Sequence, residues 1–224
     1  MPDFPFDVVA FDLDGTLADT AADLAAALNH ALAQLGRPTV PVDSVRHLVG
    51  HGARALLRKG LATSGEAPET LVEEGFPFFL DYYADHICEG TFAYPDLDDA
   101  LNALQARGVK LALCTNKQEG LTHPLIEAIG WAGRFDAIVG GDTLPVRKPD
   151  PSPLREAIAR AGGGRAVFVG DSITDADTAK AAGVPFVAVS FGFSDRPPEQ
   201  LGADALIHSY AELIPALERL NGGA

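Results

Sequence analysis

The run "VVAFDLDGTLADT" at residues 8–20 ends an apolar stretch in two aspartates one residue apart, Asp12 and Asp14, followed by Gly15 and Thr16. Three more polar groups stand at the ends of later apolar runs. These are Thr115, Asn116 and Lys117 after "VKLALC", then Arg147 and Lys148 in "LPVRKPDPSP", then Asp171, Ser172 and Asp175 after "RAVFVG". If strand geometry persists to its tip, residues 12 and 14 share a side and their carboxylates converge. Carboxylates brought together repel unless a cation joins them. Oxygen donors without a His or Cys cluster suit Mg²⁺, which retains waters and accepts substrate phosphate oxygens. Lys148 and the Thr115 hydroxyl would then face the remaining oxygens of a phosphoryl group.

Each group has a plainer reading by itself. A lone D-x-D-G fits a turn or part of a calcium loop, although it lacks the further acid and closing Glu of an EF-hand and follows a strand. A Lys before Pro is commonly a solvated loop residue. Asp171 and Asp175 could be a helix N-cap and a first-turn acid. Ligands of open α/β sheets bind outside the carboxyl ends of the strands. Four polar groups, each at such an end, therefore argue for one site.

The elements that must position them alternate. Short Val-, Ile- and Phe-rich runs at 7–12, 109–116, 135–142, 165–172 and 185–192 read as strands buried on both faces of a parallel sheet. Helical patterns at 95–108, 120–131, 150–162 and 174–183 lie between them, several ending on Gly. The fold class is α/β, a doubly wound, Rossmann-like and mostly parallel sheet. Residues 17–91 break this rhythm with helical sequence, including Leu24, Leu28, Leu32 and Leu35 at helical spacing and a later segment interrupted by Pro77. That is too long for a crossover. The reading is a core of residues 1–16 and 92–224 with an α-helical cap domain, 17–91, inserted after the first strand.

Charge narrows the partners. With 17 basic against 31 acidic residues the net charge is −14, a field that opposes nucleic acid and anionic membranes. A phosphate site must bring its own local cations. No stretch approaches the ~20 apolar residues of a membrane span, and no signal peptide is apparent. Cys88 and Cys114 read as reduced thiols. A cytoplasmic protein is expected; a monomer and a homodimer are equally compatible with the sequence.

"FDLDGTLADT", "TNK", "RKPDPSPL" and "VGDSITDADTAKAAG" resemble the four motifs of the haloacid dehalogenase-like hydrolases, in order and spacing, over nearly the whole chain. "VGHGARALL", "TNK", "KPDPSPL" and "FGFSD" are most similar to the phosphoglycolate phosphatases among them. The resemblance implies a phosphate monoester hydrolase. Asp12 is then the nucleophile that forms an aspartyl-phosphate, and Asp14 the acid that protonates the leaving alkoxide and afterwards activates water. It further implies Mg²⁺ held by Asp12, the backbone carbonyl of Asp14 and Asp171, with Asp175 in support. Thr115, Asn116 and Lys148 would bind the phosphoryl group. Asp14 distinguishes phosphate-ester chemistry from dehalogenation in this family. The cap motif, rich in cations, offers Arg54 and His51 as substrate contacts, with Arg suited to a carboxylate.

Other substrates of the same chemistry fit the motifs: a sugar phosphate, a nucleotide, or phosphoryl transfer like that of β-phosphoglucomutase. A signalling receiver domain also gathers acids, a hydroxyl and a Lys-Pro around Mg²⁺. It would need Asp142 as phosphoacceptor, no cap, and a much shorter chain.

Overall fold

A computed structural model describes residues 4–194 and 196–220. Strand β1 (Val8–Phe11) is apolar throughout and buried at every position, as a strand with helices on both faces must be. After a turn, β2 (Ala18–Asp19) leads into α1 (Ala21–Gln34), α2 (Val42–Arg46), α3 (Ala53–Ala62) and α4 (Glu69–Asp85). The chain returns through β3 (Phe92–Ala93), then alternates: α5 (Leu97–Ala106), β4 (Lys110–Cys114), α6 (Glu119–Ala128), β5 (Ala137–Val139), α7 (Ser152–Arg160), β6 (Ala166–Gly170), α8 (Ile173–Ala182) and β7 (Phe186–Val189). It closes with β8 (Ala205–Ile207) and α9 (Leu213–Leu220).

The main sheet is parallel, in the order β5-β4-β1-β6-β7-β8. β1 lies at its centre, and Phe11 is level with Leu113 on β4 and Val169 on β6. One further residue along each strand reaches Asp12, Cys114 and Gly170. Asp12, Thr115 and Asp171 therefore emerge on one edge because the strands run in parallel and in register. Val9, Phe11, Leu111, Leu113 and Val169 pack on one face with residues of α5, α6 and α9. Val8, Ala10, Ala112, Cys114 and Phe168 pack on the other with residues of α7 and α8. This is the doubly wound α/β arrangement.

Helices α1 to α4 build a separate apolar cluster. Leu24, Leu28 and Leu32 form a stripe at four-residue spacing on α1, meeting Leu57 and Leu61 of α3 and Val72, Phe79 and Tyr83 of α4. Leu35 packs only at its margin. Pro77 does not interrupt α4. It sits on the exposed face, where water can reach the carbonyl that a proline leaves without an intrahelical donor.

The structure adds elements the sequence pattern did not mark. β2 and β3 form a small antiparallel ribbon, Ala18 opposite Ala93 and Asp19 opposite Phe92, where the chain leaves and re-enters the sheet domain. β8 and α9 extend the sheet side. Asp195, the last residue of "FGFSD", lies outside the described residues. Among the described residues no helix is long and apolar enough to cross a membrane.

Candidate active site

Asp12 follows β1 directly and is 4% exposed. Lys148, in the loop after β5, places Nζ 2.9 Å from Asp12 Oδ1 and 2.6 Å from Asp175 Oδ1. Asp171 follows β6, accepting the Phe193 amide at 2.5 Å and the Thr16 hydroxyl at 3.4 Å. Gly15 and Gly192 crowd against it: a Cβ on either would come within 2.3 Å of an Asp171 side-chain atom. Ser172 caps α8, and Asp175 returns the contact in a capping box. Asp175 Oδ2 accepts from Ser172 N at 3.1 Å, Ser172 Oγ at 2.6 Å and Asp171 N at 3.3 Å. Asp175 thus ties the turn carrying Asp171 to the Lys148 ammonium.

Asp14 does not continue the alternation of β1. The strand ends at Phe11, and the chain turns through Gly15 at φ +80°, with the Leu17 amide bonded to the Leu13 carbonyl. Asp12 and Asp14 line the same cavity and Asp14 adds to the upward push on Asp12, but the Asp14 carboxylate stands outside the close group of Asp12, Asp171 and Asp175 and takes its partners elsewhere. Thr20 donates its hydroxyl to Asp14 Oδ1 at 2.8 Å, and Lys117 Nζ lies 3.2 Å from the same oxygen. Lys117 also donates to Tyr83 Oη at 2.8 Å, and its ammonium stands 4.3 Å from the Tyr83 ring centroid. Tyr83 is fully buried on α4. The Lys117–Tyr83 pair was missed by sequence reasoning. Lys117 stood visibly at a strand end, but nothing marked Tyr83, 34 residues earlier, as its partner.

Thr115 is buried, and its hydroxyl accepts the Lys117 amide at 3.2 Å. The Asn116 amide donates to the Gly50 carbonyl at 3.0 Å and to the Lys148 carbonyl at 3.2 Å, joining the loop before α3 to the sheet edge. His51 reinforces that seam, its Nδ1 lying 3.0 Å from the Thr174 hydroxyl of α8. Arg54 does not come to the site. Its guanidinium pairs with Glu73 and covers the Phe76 ring at 4.0 Å. Between insert and sheet edge is a cavity of about 40 Å³, lined by Asp12, Asp14, Thr115, Asn116 and Lys117 below and by Leu56, Phe79 and Tyr83 above.

The model of the haloacid dehalogenase-like hydrolases matches residues 9–189. The chain belongs to that family. It is 44% identical over 215 residues to the phosphoglycolate phosphatase of Caulobacter vibrioides, covering 93% of this chain and 89% of that one. A crystal structure of a predicted phosphoglycolate phosphatase from Haemophilus somnus superposes with a TM-score of 0.88 at 30% identity, covering 94% and 97% of the two chains. CbbY from Rhodobacter sphaeroides, in complex with phosphate, gives 0.80 at 26% identity, covering 95% and 99%.

In this member of the family, Asp12, Asp171 and Asp175 offer oxygens within 4.8 Å of one another, all buried. Burial pushes Asp12 up to about 6, and Lys148 pulls it back only in part. Burial likewise raises Asp171 well above the carboxylate range, with Asp175 and Asp12 adding to the effect. Surplus buried negative charge in an all-oxygen donor set fits a hard divalent cation. Asp175 is already occupied by its donors, so Asp12 and Asp171 are the more available ligands. Lys148 stays above the usual lysine value: burial opposes its charge, and Asp12 and Asp175 outweigh burial. For Lys117, Asp14 and Tyr83 outweigh burial in the same way.

Proposed function

We propose that the chain is a Mg²⁺-dependent phosphatase of small phosphate monoesters, hydrolysing 2-phosphoglycolate to glycolate and phosphate. The observation that carries this reading is the division between its two neighbouring carboxylates. Asp12 sits with Lys148 and Asp171, and Asp14 sits apart with Thr20 and Lys117. One is arranged to meet phosphorus and the other to manage a proton. The similarity to named phosphoglycolate phosphatases supports the substrate.

In this reading an Asp12 oxygen attacks phosphorus as the bond to the ester oxygen breaks, and Asp14 gives its proton to the departing alkoxide. Asp14 then takes a proton from water as that water attacks the aspartyl-phosphate, which releases phosphate and restores Asp12. Lys148, the Thr115 hydroxyl, the Asn116 backbone N–H and loop amides after Asp12 balance the phosphoryl oxygens. Asp175 holds Lys148 in place. Asp12, Asp171 and the Asp14 backbone carbonyl would hold Mg²⁺, which when bound would supply positive charge to the phosphoryl group. Residues 17–91 act as the cap that selects substrate, with His51 at its seam with the core. The setting is the cytoplasm, in keeping with two unpaired thiols, Cys88 and Cys114.

Phosphate release from a panel of small esters, with Mg²⁺ and with chelator, tests this. We expect 2-phosphoglycolate among the better substrates and little turnover without metal. Poor turnover of 2-phosphoglycolate beside rapid turnover of another ester would overturn the substrate while leaving the chemistry. Isomerisation of glucose 1-phosphate without phosphate release would favour a mutase.

A further inference from the structure

Lys117 has no part in the steps above, yet it is a buried ammonium at the wall of the reaction cavity. Among the described residues lining that cavity, it is the only cation. Lys148 is turned to Asp12 and Asp175. Arg46 is paired with Asp19 at 2.5 Å, and Arg54 with Glu73 on the outer side of the insert. Arg147 stands beside Gly52 but is exposed, so the cation that a second anionic group meets in the buried wall is Lys117.

The ammonium has three N–H donors. Two are directed to Tyr83 Oη and Asp14 Oδ1. The Tyr83 hydroxyl accepts from Lys117, so its own proton remains for another acceptor. An N–H and an O–H, side by side at a cavity wall, match the two oxygens of a carboxylate. The position also fits the chain length of the ligand. Asp14 is the group proposed to reach the ester oxygen, and Lys117 lies 3.2 Å from it. In 2-phosphoglycolate a single methylene separates the ester oxygen from the carboxylate.

We propose that Lys117 and Tyr83 form the receptor for the substrate carboxylate and so select a 2-phosphocarboxylate over a neutral ester. This deepens the phosphatase reading and rests on it. Lys117 comes from the sheet edge and Tyr83 from α4 of the insert, so the bound carboxylate bridges the two. The bound carboxylate then adds to the tie that Lys117 and Tyr83 already make between core and insert, and an ester without a carboxylate forgoes that contact.

The test compares kcat/KM for 2-phosphoglycolate with that for its amide, carbamoylmethyl phosphate, in the unaltered chain, Lys117→Met and Tyr83→Phe. Losing a charge-assisted hydrogen bond in a dry site should lower the carboxylate-to-amide ratio on the order of 30-fold in Lys117→Met. Tyr83→Phe, which leaves the Lys117–Asp14 pair in place, should lower it several-fold. Inhibition by glycolate should weaken in both variants more than inhibition by inorganic phosphate. A ratio unmoved in both variants, with good turnover of 2-phosphoglycolate by the unaltered chain, overturns the inference alone. Failure of the unaltered chain on 2-phosphoglycolate overturns the substrate reading and this inference with it.

Discussion

Asp12 and Asp14 are separated by one residue yet take different lysines: Lys148 Nζ stands 2.9 Å from Asp12 Oδ1, and Lys117 Nζ 3.2 Å from Asp14 Oδ1. Both lysines are nearly fully buried. The two carboxylates thereby pair with different cations, although Asp14 still adds to the upward push on Asp12, and their substitutions should fail differently.

Asp12→Asn should lower kcat by roughly 10⁵-fold or more, as loss of a nucleophile does. It should also abolish binding of beryllium fluoride, a mimic of the acyl phosphate. Asp14→Asn should cost roughly 10²- to 10⁴-fold, the usual scale for a proton-transfer group, and retain beryllium fluoride binding. Fluoride NMR with steady-state kinetics distinguishes the two; equal retention of the mimic would remove Asp12 as nucleophile.

The pH dependence of stability should reveal the metal. Burial raises the Asp12 carboxyl from 3.8 to about 6, so the metal-free folded chain keeps a proton there that the unfolded chain has released. Its contribution to stability is present below 3.8 and is lost as pH rises through about 6. Asp171, raised by the same cause, acts in the same direction. Mg²⁺ binds the ionised carboxylates, so the Tm gain on adding it should be larger at about pH 7.5 than at about pH 5. A gain independent of pH would place the ion elsewhere.

Lys148→Met strips the cation from two buried carboxylates. In chelator, urea unfolding should show a loss of about 3–5 kcal/mol, the scale for breaking a buried pair from one side. Saturating Mg²⁺ should recover part of that loss by taking over the charge. An identical loss with and without Mg²⁺ would argue that the ion does not share Asp12 with Lys148.

Arg54→Ala should have little effect. Its pair with Glu73 is exposed, 37% and 54% for the two side chains, and such pairs contribute less than about 1 kcal/mol. KM for 2-phosphoglycolate should move by no more than about threefold, equivalent to well under 1 kcal/mol. A large rise in KM would restore Arg54 as a substrate contact.

Much of the sheet edge was legible because its rule is local and repetitive. A parallel sheet brings every strand's carboxyl end to the same side, so Asp12, Thr115, Lys148 and Asp171 could be grouped from their order alone. The turn after Phe11 was less legible. Period-two alternation predicted that Asp12 and Asp14 would converge, but the strand ends before either, and Gly15 at φ +80° redirects the chain. Pro77 read as a break because propensity carries no record of exposure, and exposure is what lets α4 continue. β8 spans three residues, Ala205–Ile207, too few to show a periodic signal. Its pairing with β7 is what defines it.

Residue type and strand order, then, determined the fold class, the grouping of acids, hydroxyl and lysine at the sheet edge, and the family resemblance. These follow from the short-range pattern of apolar runs and from the common direction of parallel strands. Only the tertiary structure decided which partner each charge takes. It turned Asp14 to Lys117, seated Lys148 between Asp12 and Asp175, drew Arg54 outward to Glu73, and brought Tyr83 onto the site. The physical reason is distance. A buried charge settles with whatever the packed insert and the turning backbone bring within about 3 Å, where pairing can outweigh desolvation, and sequence separation does not encode that proximity.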